Sequence, residues 1–397
     1  MEFLEWVDKS KELLISLSGA EGIHASLQEE EANYGAVFTR DAVMAGIAGL
    51  LISDKQITKS FISTLQNLKK FQGEQGQIAS NYTILGNEED RISYGTLSPK
   101  IDSLTWYIIG VSLCLTEGHL VRDEWHDSIT KTAQCLDALE YNNRNLIYVP
   151  QGGNWADEYV IEGYTLYDQV LRVWALNLAS DVFNEPSWNT KSEAIKQSIL
   201  VNYGSGHESG SEIYHKRLFA KQRKDECPYL YTSFTPSAYN STFDLAAHAL
   251  LGFILPLSSP VLLRSQQWIN DTFLEKGLLP PAFYPTITEE DKSWDELSNF
   301  YLYSFKNKPN HYHNGGIWPI WLGWLGLSLT MQGEMVLLNK LKTLLTTQLD
   351  NFHFDEYLNG KTMEAGGTKN MAYSATGIIF LSQSGADKKL NKIFNIS

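Results

Sequence analysis

The chain has 397 residues, of which 43% are apolar and 12% aromatic, which excludes a disordered or fibrous protein and leaves room for one large core. Lys and Arg number 32 against 46 Asp and Glu, a formal charge of −14, so a nucleic-acid backbone and an anionic membrane surface are both repelled. Neither is expected as a partner. The opening residues read as an amphipathic helix without the basic region and apolar run of a secretory leader, so the chain is expected to be cytoplasmic.

From the N terminus, apolar residues recur with a helical period in segments near 3–17, 41–53, 57–71, 103–117, 125–140, 165–182, 190–203, 241–255, 259–272, 317–331, 334–350 and 371–382. Every second segment, beginning with 41–53, is apolar on most sides and rich in small residues or Trp, as a helix buried all round requires. The others carry a polar face, for example Lys59, Gln66, Lys69 and Lys70 in the segment at 57–71. Six pairs of inner and outer helices predict an all-α fold, the (α/α)6 toroid, as a single catalytic domain over 1–397. An open solenoid of helix pairs has the same periodicity. The connections at 204–240 and 277–314 have no strong helical pattern, and loops of such length are usually functional.

Cys114, Cys135 and Cys227 are too scattered for a disulfide framework or a C-x-x-C site and read as buried apolar residues. The apolar run at 316–329 is shorter than the roughly 20 residues that span a bilayer, and it contains Pro319; it reads as a buried helix.

Polar and aromatic clusters stand at the starts of the expected inner helices: Phe38-Thr39-Arg40-Asp41, Asp102-Ser103-Leu104-Thr105-Trp106, Asn154-Trp155-Ala156-Asp157-Glu158, Thr242-Phe243-Asp244 and His313-Asn314-Gly315-Gly316-Ile317-Trp318. Inner helices of a toroid run the same way, so these clusters converge on one mouth. Each has a second reading: Asp, Asn and Ser cap helix N termini, Arg40 and Asp41 can pair with each other, and Trp155 and Trp318 can be ordinary core. A pit of carboxylates and aromatics suits a sugar, whose hydroxyls need donors and acceptors and whose C–H faces need flat surfaces. Glycosidic cleavage needs one protonated and one ionised carboxyl. Asp41, Asp102, Asp157, Glu158, Asp168, Asp244, Asp355, Glu356 and Glu364 are all candidates, and composition does not choose among them. His311 and His313 lack the partner cluster of a metal site, and no glycine pattern cradles a nucleotide, so no metal or cofactor is expected.

Tyr312-His313-Asn314-Gly315-Gly316-Ile317-Trp318-Pro319 resembles the YHNGGxWP motif of alkaline/neutral invertases and the HNGxxWP of amylo-α-1,6-glucosidase domains in glycogen debranching enzymes. In the same order, Val37-Phe38-Thr39-Arg40-Asp41 resembles the invertases' VFVRD. Ile101-Asp102-Ser103 with Trp106 resembles (V/I)DSxxWW, and the segment from Phe354 to Lys361 resembles WPEYYDGK. The resemblance implies an (α/α)6 fold and hydrolysis with inversion. Trp155-Ala156-Asp157-Glu158 stands where the invertases read MIDRR, ahead of Leu166-Tyr167-Asp168-Gln169 in place of PxEIQ. It thus implies Asp157 as general acid, with its pKa raised by burial beside Trp155, and Glu356 as an ionised general base. Arg40, Asp41, Asp102, Trp106, Trp155, Gln169, His313, Asn314 and Trp318 are the implied sugar-binding residues. Glu158-Tyr159 replace the paired arginines of the invertase motif, which leaves an exo-acting glycosidase for an α-linked glucoside as the implied activity. Two alternatives fit the same pit: a sugar epimerase or lyase with His313 and Tyr312 as proton carriers, and a glycan-binding protein without turnover.

Overall fold

Helices form where the apolar period is helical, and three of the inner ones end on a left-handed residue, Ser53, Asn184 or Gly333. The computed structural model describes residues 2–26, 35–86, 88–204, 213–222, 227–383 and 385–394; of the connection expected at 204–240, residues 205–212 and 223–226 lie outside these. In chain order the helices are α1 (Phe3–Ser16), α2 (Thr39–Ile52), α3 (Lys55–Lys70), α4 (Asp102–Thr116), α5 (Arg122–Ala138), α6 (Leu166–Phe183), α7 (Pro186–Asn202), α8 (Lys216–Gln222), α9 (Leu245–Leu250), α10 (Pro260–Thr272), α11 (Trp294–Asn299), α12 (Pro319–Gln332), α13 (Met335–Thr346), α14 (Ala372–Leu381) and α15 (Asp387–Phe394).

Six of them close a ring. Helix α2 packs on α4, α4 on α6, α6 on α9, α9 on α12, α12 on α14, and α14 returns to α2. Closure between α14 and α2 excludes the open solenoid. Around the ring α3 packs against α2 and α4, α5 against α4 and α6, α7 against α6, α13 against α12, and α1 against α14. The two sets differ as their sequences require. In α12 every residue from Pro319 to Met331 is buried. In α3, Ile57, Phe61, Leu65 and Leu68 are buried while Lys59, Gln66 and Lys70 stay exposed. Pro319 occupies the first turn of α12, where its missing N–H costs nothing. Inner helices pack closely through small residues: a Cβ on Gly323 of α12 would lie 2.6 Å from the Gly377 Cα of α14.

Tryptophans fill the axis. Trp106, Trp174 and Trp324 meet with ring centroids 5.7–6.0 Å apart, and the Trp324 indole N–H points at Met44 Sδ. Arg172 of α6 is the polar exception, fully buried and paired with Asp137 at 2.6 Å and Glu140 at 2.5 Å. Beneath the tryptophans α15, a helix absent from the expected set, inserts Phe394 against Trp174 and Phe253 at 5.7 and 5.1 Å. With α15 in contact with α12 and α4, that end of the ring is closed.

Short antiparallel strand pairs build the rim at the other end. Residues 37–38 pair with 81–82, and 164–165 with 233–234, just before α2 and α6. Residues 243–244, expected to be helical, instead pair with 283–284. Asp244 then caps α9 by accepting the Ala247 N–H at 3.2 Å, which fixes the later helix start. Among the described residues no helix is long and apolar enough to cross a membrane.

Candidate active site

An open cavity of about 180 Å3 lies inside this rim, over the N-terminal ends of the inner helices. The first turn of α2 supplies Arg40 and Asp41, because strand 37–38 delivers the chain to the rim just before the helix begins. Arg40 Nη1 donates to Asp102 Oδ2 at 3.0 Å, and its Nε lies 3.8 Å from Asp41 Oδ2. Behind the pair, Trp106 Nε1 donates to Tyr167 Oη at 3.0 Å and Tyr167 donates to Asp102 Oδ2 at 3.3 Å. Burial opposes the Arg40 charge, but Asp102, Tyr373 and Asp41 hold the guanidinium firmly protonated. Burial pushes the Asp41 carboxyl up to about 7; Arg40 opposes this, while Asp157 and Glu356 reinforce it.

Asp157 reaches this cavity from the segment before α6. Asn154 Oδ1 accepts the Ala156 N–H at 3.0 Å, and Asn154 Nδ2 donates to Asp168 Oδ2 at 3.3 Å, which also accepts from Thr165 Oγ1 at 2.6 Å. A buried aspartate on the inner helix thereby shapes the turn that carries Asp157. Burial and the nearby Asp102 raise Asp168 to about 8. The buried setting expected for Asp157 beside Trp155 is not found: its side chain is 41% exposed and pairs with Lys100 Nζ at 3.3 Å. Burial falls on its neighbour. Glu158 is 8% exposed, accepts the Leu302 N–H at 3.1 Å through Oε1, and is shifted upward by desolvation.

Glu356 immediately precedes the strand 357–358, which pairs with 365–366. It is buried, and Oε2 accepts the Thr368 N–H at 3.3 Å. Gly367 makes this possible. Its φ is +79°, and a Cβ there would collide with Glu356 Oε2. Aromatics complete the wall: Trp155 stacks on Phe283 at 5.5 Å and meets His313 edge-on at 5.0 Å, while His313 stacks on Trp318 at 5.2 Å. Burial, with Arg40, Lys306 and Lys100 nearby, holds His313 far below its usual value, so it is neutral.

Of the residues singled out from the sequence, Arg40, Asp41, Trp155, Asp157, His313, Trp318 and Glu356 line the cavity together. Asp102 stands one layer behind, neither capping α4 nor facing the cavity, its carboxylate taken by Arg40 and Tyr167. Three others do not reach the site. Trp106 is a full helical turn below the rim and packs in the core. Gln169 is spent on both backbone groups of Ile147 at 3.0 Å. Asn314 is spent on the Ile287 backbone and the Asn307 carbonyl, where it ties two loops together. Sequence reasoning missed Lys100, Lys306, Tyr303 and Tyr373. Tyr373 begins the sixth inner helix, so the positional rule that found the other clusters also covers it; the loop residues follow no period.

Residues 282–383 match the family described as "Alkaline and neutral invertase". A curated relative, the probable chloroplastic alkaline/neutral invertase A of Arabidopsis thaliana, is 24% identical over 86% of this chain. The chain spans 62% of that relative's length. Among solved structures, the GH63 mannosylglycerate hydrolase from Thermus thermophilus in complex with glucose is similar with a TM-score of 0.63 at 12% identity, covering 94% of this chain and 98% of that one. A bacterial glucoamylase complexed with acarbose has a TM-score of 0.64 at 14% identity, covering 98% of this chain and 55% of that one. By fold the protein is an (α/α)6 toroid of the type found in glycosidases. In sequence it is related to the alkaline and neutral invertases.

Proposed function

We propose that the protein is an inverting glycosidase that cleaves an α-glucoside, with Asp157 as general acid and Glu356 as general base. The observation that carries this reading is that two carboxyls remote in sequence line one sugar-sized cavity, with Asp41 in the electrostatic reach of both. In the reaction, a water oxygen bonds to the anomeric carbon as the bond from that carbon to the glycosidic oxygen breaks. Asp157, protonated once bound substrate draws Lys100 away from it, gives its proton to the leaving oxygen and Glu356 takes one from the water, so the configuration inverts. Arg40 and Asp41 bind sugar hydroxyls, with Asp41 near half-protonation at neutral pH and thus able to donate or accept. Trp318 and Trp155 supply the apolar wall against a C–H face.

Proton NMR of the reaction with sucrose, maltose, isomaltose and glucosylglycerate-type substrates tests this. The expected first product is β-glucose together with a new hydroxyl on the aglycone. Initial release of α-glucose would instead mean retention. A product with no new reducing sugar would favour an epimerase or lyase, and binding by calorimetry without cleavage would favour a glycan-binding protein.

A further inference from the structure

The hydrolytic reading leaves unassigned the part of the cavity that holds the leaving group, and its wall carries an ammonium that makes no close ion pair with any described carboxylate. Lys306 lies on the connection between α11 and α12, half-buried, with Nζ 5.0 Å above the Tyr312 ring. Among the described residues no carboxylate comes within ion-pair distance of it, whereas Lys100, the other lysine lining the cavity, is taken by Asp157 at 3.3 Å and by the Gly152 carbonyl. Glu158 anchors the segment that bears Lys306: Oε1 accepts the Leu302 N–H and its backbone carbonyl accepts from Asn307 Nδ2. Glu158 Oε2, in turn, is buried against the cavity with no hydrogen-bond partner.

A partly desolvated ammonium that has only the longer-range attraction of Glu158 is better compensated when a ligand brings an anion into contact with it. An open acceptor or donor at Glu158 Oε2, near an ammonium that makes no close ion pair, matches a leaving group that has a hydroxyl beside an acidic group.

We propose that Lys306 receives a carboxylate or phosphate on the aglycone, so that the substrate is an α-glucoside of a small hydroxy acid or of a phosphorylated sugar or polyol. This rests on the glycosidase reading above. The acidic group is held by the Lys306 ammonium, and Glu158 Oε2 bonds the adjoining hydroxyl.

Two matched pairs test it: glucosylglycerate against glucosylglycerol, and sucrose 6-phosphate against sucrose, each pair differing in one charged group. The acidic member of at least one pair is expected to show kcat/KM at least about tenfold above its neutral partner, and the responding pair tells carboxylate from phosphate. Lys306→Gln is expected to raise KM for that acidic member and bring the ratio toward unity, while Lys306→Arg keeps most of it. Added salt lowers the ratio in the wild type. Neutral members turned over as well as the acidic ones, or a ratio unmoved in Lys306→Gln, would overturn the proposal and leave the glycosidase intact. Failure to cleave all four, and 4-nitrophenyl α-glucoside as well, would overturn the glycosidase reading and this proposal with it.

Discussion

Arg40 on the first inner helix and Asp102 on the second are joined at 3.0 Å, with the carboxylate fully buried and the guanidinium at the cavity wall. Their pairing fixes two helix starts at the mouth and leaves the guanidinium turned toward the cavity. Removing Asp102 takes away its closest counter-ion and leaves only Asp41 at 3.8 Å. Asp102→Ala is therefore expected to lower unfolding free energy by about 3–5 kcal/mol, measured by urea denaturation. Asp102→Asn keeps an acceptor for Tyr167 and Arg40 and is expected to lose less.

Asp157→Asn and Glu356→Gln are each expected to reduce kcat on a cleaved α-glucoside by roughly 10²–10⁴ with the urea midpoint close to wild type. Neither change opens a void, because each substitution is nearly isosteric. A variant that keeps wild-type turnover removes its residue from the assignment.

Gly367→Ala should displace Glu356, with added backbone strain at the left-handed position. The new Cβ collides with Glu356 Oε2 and the backbone is left-handed there, so the carboxylate must shift. A displacement of about 1 Å at a reacting group costs on the order of 100-fold, so kcat is expected to fall by about that factor while KM changes little. A wild-type kcat in this variant would argue against Glu356 as the base.

Stability near neutral pH should depend on Asp168. Its folded value of about 8 lies above the unfolded value of about 3.9, so the folded state keeps a proton that the unfolded chain releases. Stability from this group is full below the unfolded value and declines as pH rises toward 8. Asp41 and Asp244, both near 7, act in the same sense. His248, held at about 4 by burial, acts oppositely below about 6.5, where the unfolded imidazole gains its proton. Between pH 6.5 and 8 the decline is therefore expected to be visible in the urea midpoint, and Asp168→Asn should flatten it. An equal slope in wild type and variant would show that Asp168 is not the group responsible.

Much of this organisation can be read from residue patterns. The contrast between α12, apolar on every side, and α3, with its lysine-bearing face, separates inner from outer helices because each must satisfy a different surrounding. The mouth clusters follow from parallel inner helices, which is why Arg40, Trp155 and His313 meet although distant in the chain. Depth along a helix is harder to read. Trp106 belongs to a mouth cluster by sequence, but one turn carries a side chain from rim to core. Similarly, the sequence places burial at Asp157 whereas it is found at Glu158, since which neighbour points inward depends on loop 300–307 folding over both. Lys100 and Lys306 lie on connections whose courses are set by tertiary contacts, so no local pattern marks them.

Phe394 and its helix seal the far end of the ring beneath the tryptophans. The toroid is thus a cul-de-sac, entered and left from the rim alone. Whatever is released there must back out along the path by which the next molecule arrives, so departure and arrival alternate in single file.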